Sequence, residues 1–260
     1  MIRGPRRWSV NWNVAEVALH LSQAWLGIPG LARGDLSAVD ELIPDRAAAA
    51  GDSLVRDIAD LGDVTTRLVQ ADAERDLGAL ADRIEARAKE YFADCARQSP
   101  EELRPWLLAG VNVALAVFTC HLLNETVVHG YDIARAAGQP WRINPAHAIM
   151  LMDRFFIPVI QGAPPRAMVN PHTAAGVRAS FDVRIRGGDR FYFVFDDGTL
   201  RVETPSAHRV DCHLSADPVA FLLVFWRRQS QWTAIAKGQL MAWGRKPWLA
   251  PRFRSLLASP

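Results

Sequence analysis

The chain has 260 residues, 50% of them hydrophobic and 22% charged, with a formal net charge of +2. That is ordinary globular composition, and a charge so small and so scattered gives no argument for a phosphate-tracking surface or a membrane-surface binder. Cys95, Cys120 and Cys212 are far apart, odd in number and form no Cys-x-x-Cys pair, and no apolar run approaches the ~20 residues that span a bilayer. A cytoplasmic protein with no membrane span and no nucleic-acid partner is expected.

The first patterned segment is "WNVAEVALHLSQAWLG". Asn13 is a good N-cap, Glu16 completes a capping box, and Val14, Val17, Ala18, Leu21 and Trp25 recur at helical spacing. Gly27 and Pro29 predict its end. Further helices are predicted from about 52 to 69, 73 to 96 and 106 to 137, the last ending at Gly138, with a short helix after Pro145. The outline is an antiparallel helical bundle. The three prolines of "GAPPRAMVNPH" read as a linker. Beyond it the period changes to two: "VRASFDVRI" alternates, "RFYFVFDDGTLRVET" is two strands about an Asp-Gly turn, and "VDCHLSA" is another strand. Asp217-Pro218 opens an apolar helix, and a turn, a strand and a final helix close a small α+β unit. The expected domains are therefore 1–162, all-α, and 173–260, α+β.

The chemistry concentrates in "HLLNETVVHGYDIARAAG", from His121 to Gly138. His121, Glu125 and His129 stand at successive spacings of four on one helix, and residues four apart share a face. Each step of four drifts about 40°, so Glu125 and His129 converge on one ion while His121, about 80° from His129, converges less well. A third ligand is better sought on another helix, and His20, set among Val17, Leu21 and Ala24, is the natural candidate. Asp132 is placed to accept the second ring N–H of a ligating His129. Each of these residues also has an ordinary reading, as a core histidine or a local ion pair, and spacing alone leaves a metal site and a set of paired core residues both open. Cys120, next to His121, points about 100° away from it and is not expected to be a nucleophile. The C-terminal tryptophans Trp226, Trp232, Trp243 and Trp248 are expected mainly in the core of the small domain, the other reading being that they wall an apolar cavity.

Two segments carry a family resemblance. "WNVAEVALHLSQAW" and "NETVVHGYDIARAAG" resemble the two metal-binding segments of DinB-like helical bundles, in the branch that includes the mycothiol-dependent maleylpyruvate isomerases. "AKGQLMAWGRKPWLAPRFRSLL" is similar to the closing segment of a sterol-carrier-like domain, which that branch also carries. The resemblance implies a multi-domain chain, an all-α DinB-like four-helix bundle followed by a small α+β sterol-carrier-like domain. It implies Zn2+ or another divalent metal on His20, Glu125 and His129, with mycothiol at the open position. The chain departs from the family at its start: only "MIRGPRR" and Trp8 to Asn11 precede the first helix, where the family has a whole helix.

A zinc-bound thiol loses its proton near neutral pH. The expected function is thus activation of a low-molecular-weight thiol, for cis–trans isomerisation of a maleylpyruvate-like substrate or for S-transfer to an electrophile. His121 is the candidate to line the pocket and handle protons. The partners are then a small-molecule substrate and the thiol, with a homo-oligomer left open. Arginines of the second domain, among them Arg178, Arg184 and Arg245, are candidates to reach a carboxylated substrate. The alternative, from another class, is a carrier of an apolar ligand whose metal site is structural or vestigial.

Overall fold

The structure, a computed structural model, describes residues 12–206 and 209–258. The segment before Trp12, where the family resemblance leads one to expect a further helix, lies outside the described residues.

Helix α1 (Val14–Arg33) opens as expected: the Asn13 side chain accepts from the Glu16 amide at 3.0 Å and Glu16 accepts from the Asn13 amide at 2.7 Å. It does not stop at Gly27 and Pro29. It continues to a left-handed cap at Gly34, where the Asp35 amide returns to the Gly30 carbonyl. Pro29 forfeits one helical hydrogen bond, and burial of Ile28, Leu31 and Ala32 in that last stretch offsets the loss. Two short helices, α2 (Ser37–Leu42) and α3 (Arg46–Ala50), fold back beside it. The predicted helix from 52 begins only at Leu61, as α4 (Leu61–Ala71), and α5 (Leu77–Cys95) follows closely where it was expected.

The long helix predicted from 106 starts later. Residues before it form a small hairpin, β1 (Leu103–Pro105) against β2 (Asn112–Ala114), closed by the Trp106 amide on the Val111 carbonyl at 2.8 Å. The N-terminal region is therefore helical but not purely so. Its central pair is α1 against α6 (Leu115–Ala136), with α4 and α5 also packed on α1. A last helical rod combines α7 (Pro145–Leu151), a π-helical turn at Met152–Phe156, and α8 (Ile157–Gly162). Pro158 has no N–H for the Arg154 carbonyl, which accounts for the widened turn. The turn aims Phe155 and Phe156 inward.

The proline-rich stretch after α8 is bonded along its length: the Ala167 amide donates to Pro164, Leu200 to Pro165 and Asn170 to Leu256. It runs directly into α9 (Pro171–Ala174), capped by the Asn170 side chain. The α+β unit is one sheet in the order β5-β4-β3-β6-β7, made of β3 (Arg178–Ile185), β4 (Arg190–Asp196), β5 (Thr199–Glu203), β6 (Cys212–Ala216) and β7 (Leu240–Trp243). Among the described residues of this sheet, β3 and β6 pair in parallel and the other neighbours are antiparallel. The β4–β5 turn carries positive φ at both Asp197 and Gly198, the geometry a two-residue hairpin demands. Helices α10 (Pro218–Phe225), α11 (Gln231–Ala236) and α12 (Phe253–Leu256) complete the unit.

Phe181, Val183 and Ile185 of β3 face inward with Phe193 and Phe195 of β4, against Phe253. One hydrophobic core runs from α1 and α6 through Phe156 into this sheet. The tryptophans do not follow expectation: Trp232, Trp243 and Trp248 are exposed, and Trp226 alone of the four turns inward, onto Phe156. No described helix is long and apolar enough to cross a membrane.

Candidate metal centre

His20 lies in the middle of α1, and Glu125 and His129 lie one turn apart on α6. Packing of α1 against α6 brings the three together, so that one ligand atom from each lies within 4.8 Å of the others. Glu125 Oε2 is 3.6 Å from His20 Nε2 and 3.3 Å from His129 Nε2. These separations are long for charge-assisted hydrogen bonds, which close to about 2.7–2.9 Å. They match the edge of a tetrahedral site, because two ligands each about 2.0–2.1 Å from zinc sit about 3.4 Å apart. Two imidazoles and a carboxylate are also the donor set that zinc and similar divalent ions accept. The residues therefore fit the group.

The electrostatics act on the three groups in different directions. Burial lowers the pKa of His20, which favours the neutral imidazole a metal needs. Burial alone would raise Glu125; the histidines His121, His129 and His20 around it outweigh burial and hold the carboxyl well below its ordinary range. Burial would likewise lower His129, but Asp132 and Glu125 reverse the direction and raise it.

Each of the three residues has further contacts. Asp132 Oδ2 lies 3.5 Å from His129 Nδ1, close enough for an ion pair but not aligned as a hydrogen bond, and Nδ1 has no other partner among the described residues. Glu125 uses its two oxygens differently. Oε2 faces His20 and His129, while Oε1 accepts from the Asn124 side chain at 3.2 Å. Trp12 stands against the His20 ring at 5.0 Å between centroids.

His121 is one helical turn before Glu125 and outside the ligand group. Its Nδ1 accepts from the Trp106 indole at 3.3 Å, and its ring stacks on Phe155 at 4.7 Å. An indole only donates, so the neutral His121 carries its proton on Nε2, directed at Glu125 Oε1 across 3.6 Å. Cys120 is buried and its thiol is pushed up by burial, as expected of a core cysteine.

Two contributors come from the C-terminal unit and carry no signal in the sequence. Arg228 clamps Asp132, with Nη2 at 3.0 Å and Nε at 3.3 Å. Trp226 donates to Asn124 Oδ1 at 2.9 Å. Both sit just after α10, so the loop that ends this helix reaches across to both sides of the metal group. Arg178, Arg184 and Arg245 do not reach it. Arg178 pairs with Asp196 and Arg245 with Asp211, and none of the three borders the cavity; Arg135, Arg227, Arg228 and Arg254 do.

That cavity lies between the two halves and has a volume of about 1340 Å³. His20, Glu125 and His129 open into it from one side, and its remaining walls are mainly apolar, including Ile28, Leu61, Phe156, Ile160, Met168 and Phe225. A cavity built partly on a sheet-and-helix unit of this kind raises the question of what that unit is. Residues 166–245 match the SCP-2 sterol transfer family. The SCP-2 domain thus begins inside the bonded stretch that follows α8 and takes in the whole sheet.

Among curated proteins none matches the chain significantly. Solved structures give distant likenesses. A ubiquinone synthesis protein, UbiJ-SCP2, aligns at 20% identity over 33% of this chain and 68% of its own, with a TM-score of 0.28. The stereoselective inverting sec-alkylsulfatase Pisa1 from Pseudomonas sp. aligns at 14% identity over 97% of this chain, with a TM-score of 0.34. The chain spans 33% of that sulfatase's length. Likenesses at this distance bear on neither activity nor substrate.

Proposed function

We propose that the protein carries an apolar small molecule in the cavity between its helical region and its SCP-2 domain. The observation behind this is the cavity itself, about 1340 Å³ with walls supplied by both halves and mainly apolar. That exceeds the roughly 300–1,000 Å³ of most small-molecule pockets and suits a sterol or a long acyl chain, each buried methylene of which contributes about 0.8 kcal/mol. The test is a titration with the neutral fluorophore N-phenyl-1-naphthylamine, together with mass spectrometry of lipid extracted from gently purified protein. Saturable fluorescence displaced by a sterol or a fatty alcohol is the expected result. Absence of any saturable apolar binding removes the carrier function.

A second function is favoured by the group of His20, Glu125 and His129 on the same cavity. Three protein ligands leave a fourth position toward the cavity, the pattern of a catalytic ion. When bound there, zinc or a similar ion would supply acidification of a thiol. The resemblance to DinB-like bundles and to the mycothiol-dependent maleylpyruvate isomerase family implies mycothiol as that thiol, with isomerisation or S-transfer as the reaction. Asp132 and Arg228 would orient His129, and His121 would present its Nε2 proton beside Glu125. Metal analysis of protein purified without chelator is the first test, and mycothiol titration the second. Protein without stoichiometric metal excludes the enzyme; metal without thiol affinity leaves the carrier.

A further inference from the structure

We infer that Arg254, with Arg227 beside it, forms an anion site in the cavity wall that takes the carboxylate or phosphate head of a single-chain amphiphile. The inference rests on the carrier function and names its ligand class.

Arg254 lies on α12, and its side chain turns back over α10. Its guanidinium stands 4.9 Å from the centre of the Phe225 ring, its Nε donates to the Phe225 carbonyl at 2.6 Å, and its Nη1 donates to the Leu257 carbonyl at 3.4 Å. A guanidinium has five N–H donors, and the Nη2 edge donates to no described residue. No carboxylate of a described residue lies within ion-pair reach of it. Burial drives its pKa down to about 10, and the neighbouring charge of Arg227 adds to the effect.

Comparison with Arg228 sharpens the point. Both arginines border the same cavity, but Arg228 is matched by the buried Asp132. Arg227, between Arg228 and the end of α10, adopts a left-handed backbone at φ 59°, uncommon for a residue with a side chain. It borders the cavity and has no acidic partner among the described residues. Arg254 is partly buried against an apolar wall with no acidic partner among the described residues, which is costly to hold, while Arg227 is exposed and adds positive charge beside it. An anionic head on the Nη2 edge of Arg254 removes the cost and is favoured further by the charge of Arg227, and the cavity wall also offers Phe225, Phe156, Ile160 and Met168 for a tail. The carbonyl contacts of Arg254 cap α10, but a cap alone explains neither the free Nη2 edge nor the second cation.

The test is displacement of N-phenyl-1-naphthylamine from the full chain by hexadecanoate, hexadecyl phosphate and hexadecanol, with zinc and with chelator. Either anion is expected to bind about 10- to 100-fold tighter than the alcohol, the worth of one charge-assisted hydrogen bond or a pair. The two anions differ only in head group, so the tighter one names the source. Arg254→Met should abolish the preference and leave hexadecanol unchanged, which also shows that the variant is folded. Arg254→Lys should keep part of it, and Arg227→Gln should reduce it. Equal binding of acid and alcohol overturns the anion site while the carrier function stands. A preference that survives Arg254→Met but disappears with chelator also overturns it, by assigning the head group to the metal. Failure of all three amphiphiles to displace the fluorophore removes the carrier function and the anion site together.

Discussion

Among the described residues, two clusters bring a largely buried carboxylate against histidine, and they differ in one respect. On the outer face of the sheet, Asp182 is gripped by Arg190 through two bonds, at 2.6 and 2.7 Å, and by His213 Nδ1 at 2.5 Å, with Trp243 stacked on the histidine. In the cavity, Glu125 meets His20, His121 and His129, and no lysine or arginine among the described residues comes within ion-pair reach of it. The first acid is balanced by a cation that never loses its charge. The second is balanced only by groups that titrate. A buried acid with a permanent partner is a structural fixture, whereas one with only imidazoles around it is a candidate place for a metal ion. The same contrast holds within the cavity, where Asp132, unlike Glu125, is paired with an arginine, Arg228.

The contrast is broken most directly at Glu125. Glu125→Gln keeps the shape and removes the charge, and metal affinity should fall by more than about 100-fold, beyond the usual effect of residues that only support a ligand. Competition against a chromophoric chelator measures it. Unchanged affinity, or no metal in the wild type, would place Glu125 in the same class as Asp182. Asp132→Asn should cost about 10- to 100-fold by the same assay, because His129 loses its orienting acid while all three ligands remain.

Much of this arrangement was legible in the chain. The i, i+4 pair on α6, the isolated His20 and the position of Asp132 followed from helical spacing and from the family resemblance, and the structure brings them together. The capping box of Asn13 and the Asp-Gly hairpin were equally plain, because each is a local signal. What escaped was non-local. Arg228 and Trp226 reach the site from roughly 100 residues away, and no spacing on α6 points to them. Helix ends were misjudged where burial outweighed a local breaker, as at Pro29, or where a short hairpin displaced a helix, as before Leu115. The exposed Trp232, Trp243 and Trp248 show that residue type alone does not assign a side chain to the core.

The sheet cluster supplies the complementary test. Asp182→Asn leaves Arg190 and His213 without their acid and should destabilise the fold by roughly 1.5–3 kcal/mol, the worth of hydrogen bonds to a charged group, without changing metal affinity. Burial acts to raise the Asp182 pKa, but Arg190 and His213 outweigh it and the net shift is downward. A depressed folded pKa contributes stability that is present above the unfolded value, about 3.9, and is lost as pH falls through the folded value. The difference in Tm between wild type and Asp182→Asn should therefore be constant near neutral pH and shrink below about pH 4. A difference that grows on acidification would show that the charge of Asp182 is not what the cluster uses.

The smallest effect on metal is expected at His121, although it sits as close to Glu125 as His20 does, at 3.6 Å in each case. Distance does not separate the two histidines; the oxygen addressed does. His20 shares Oε2 with His129, whereas His121 faces Oε1, which Asn124 already occupies, and its other nitrogen is fixed by Trp106. His121→Gln preserves an acceptor for the indole and should leave metal stoichiometry unchanged and affinity far closer to wild type than Glu125→Gln. If the protein turns over a thiol adduct, the same variant should lower kcat while KM and metal content hold, because an imidazole that can give and take a proton is replaced by an amide that cannot. Loss of metal on the scale of a His129 variant would instead make His121 a ligand and return the site to a single stripe along α6.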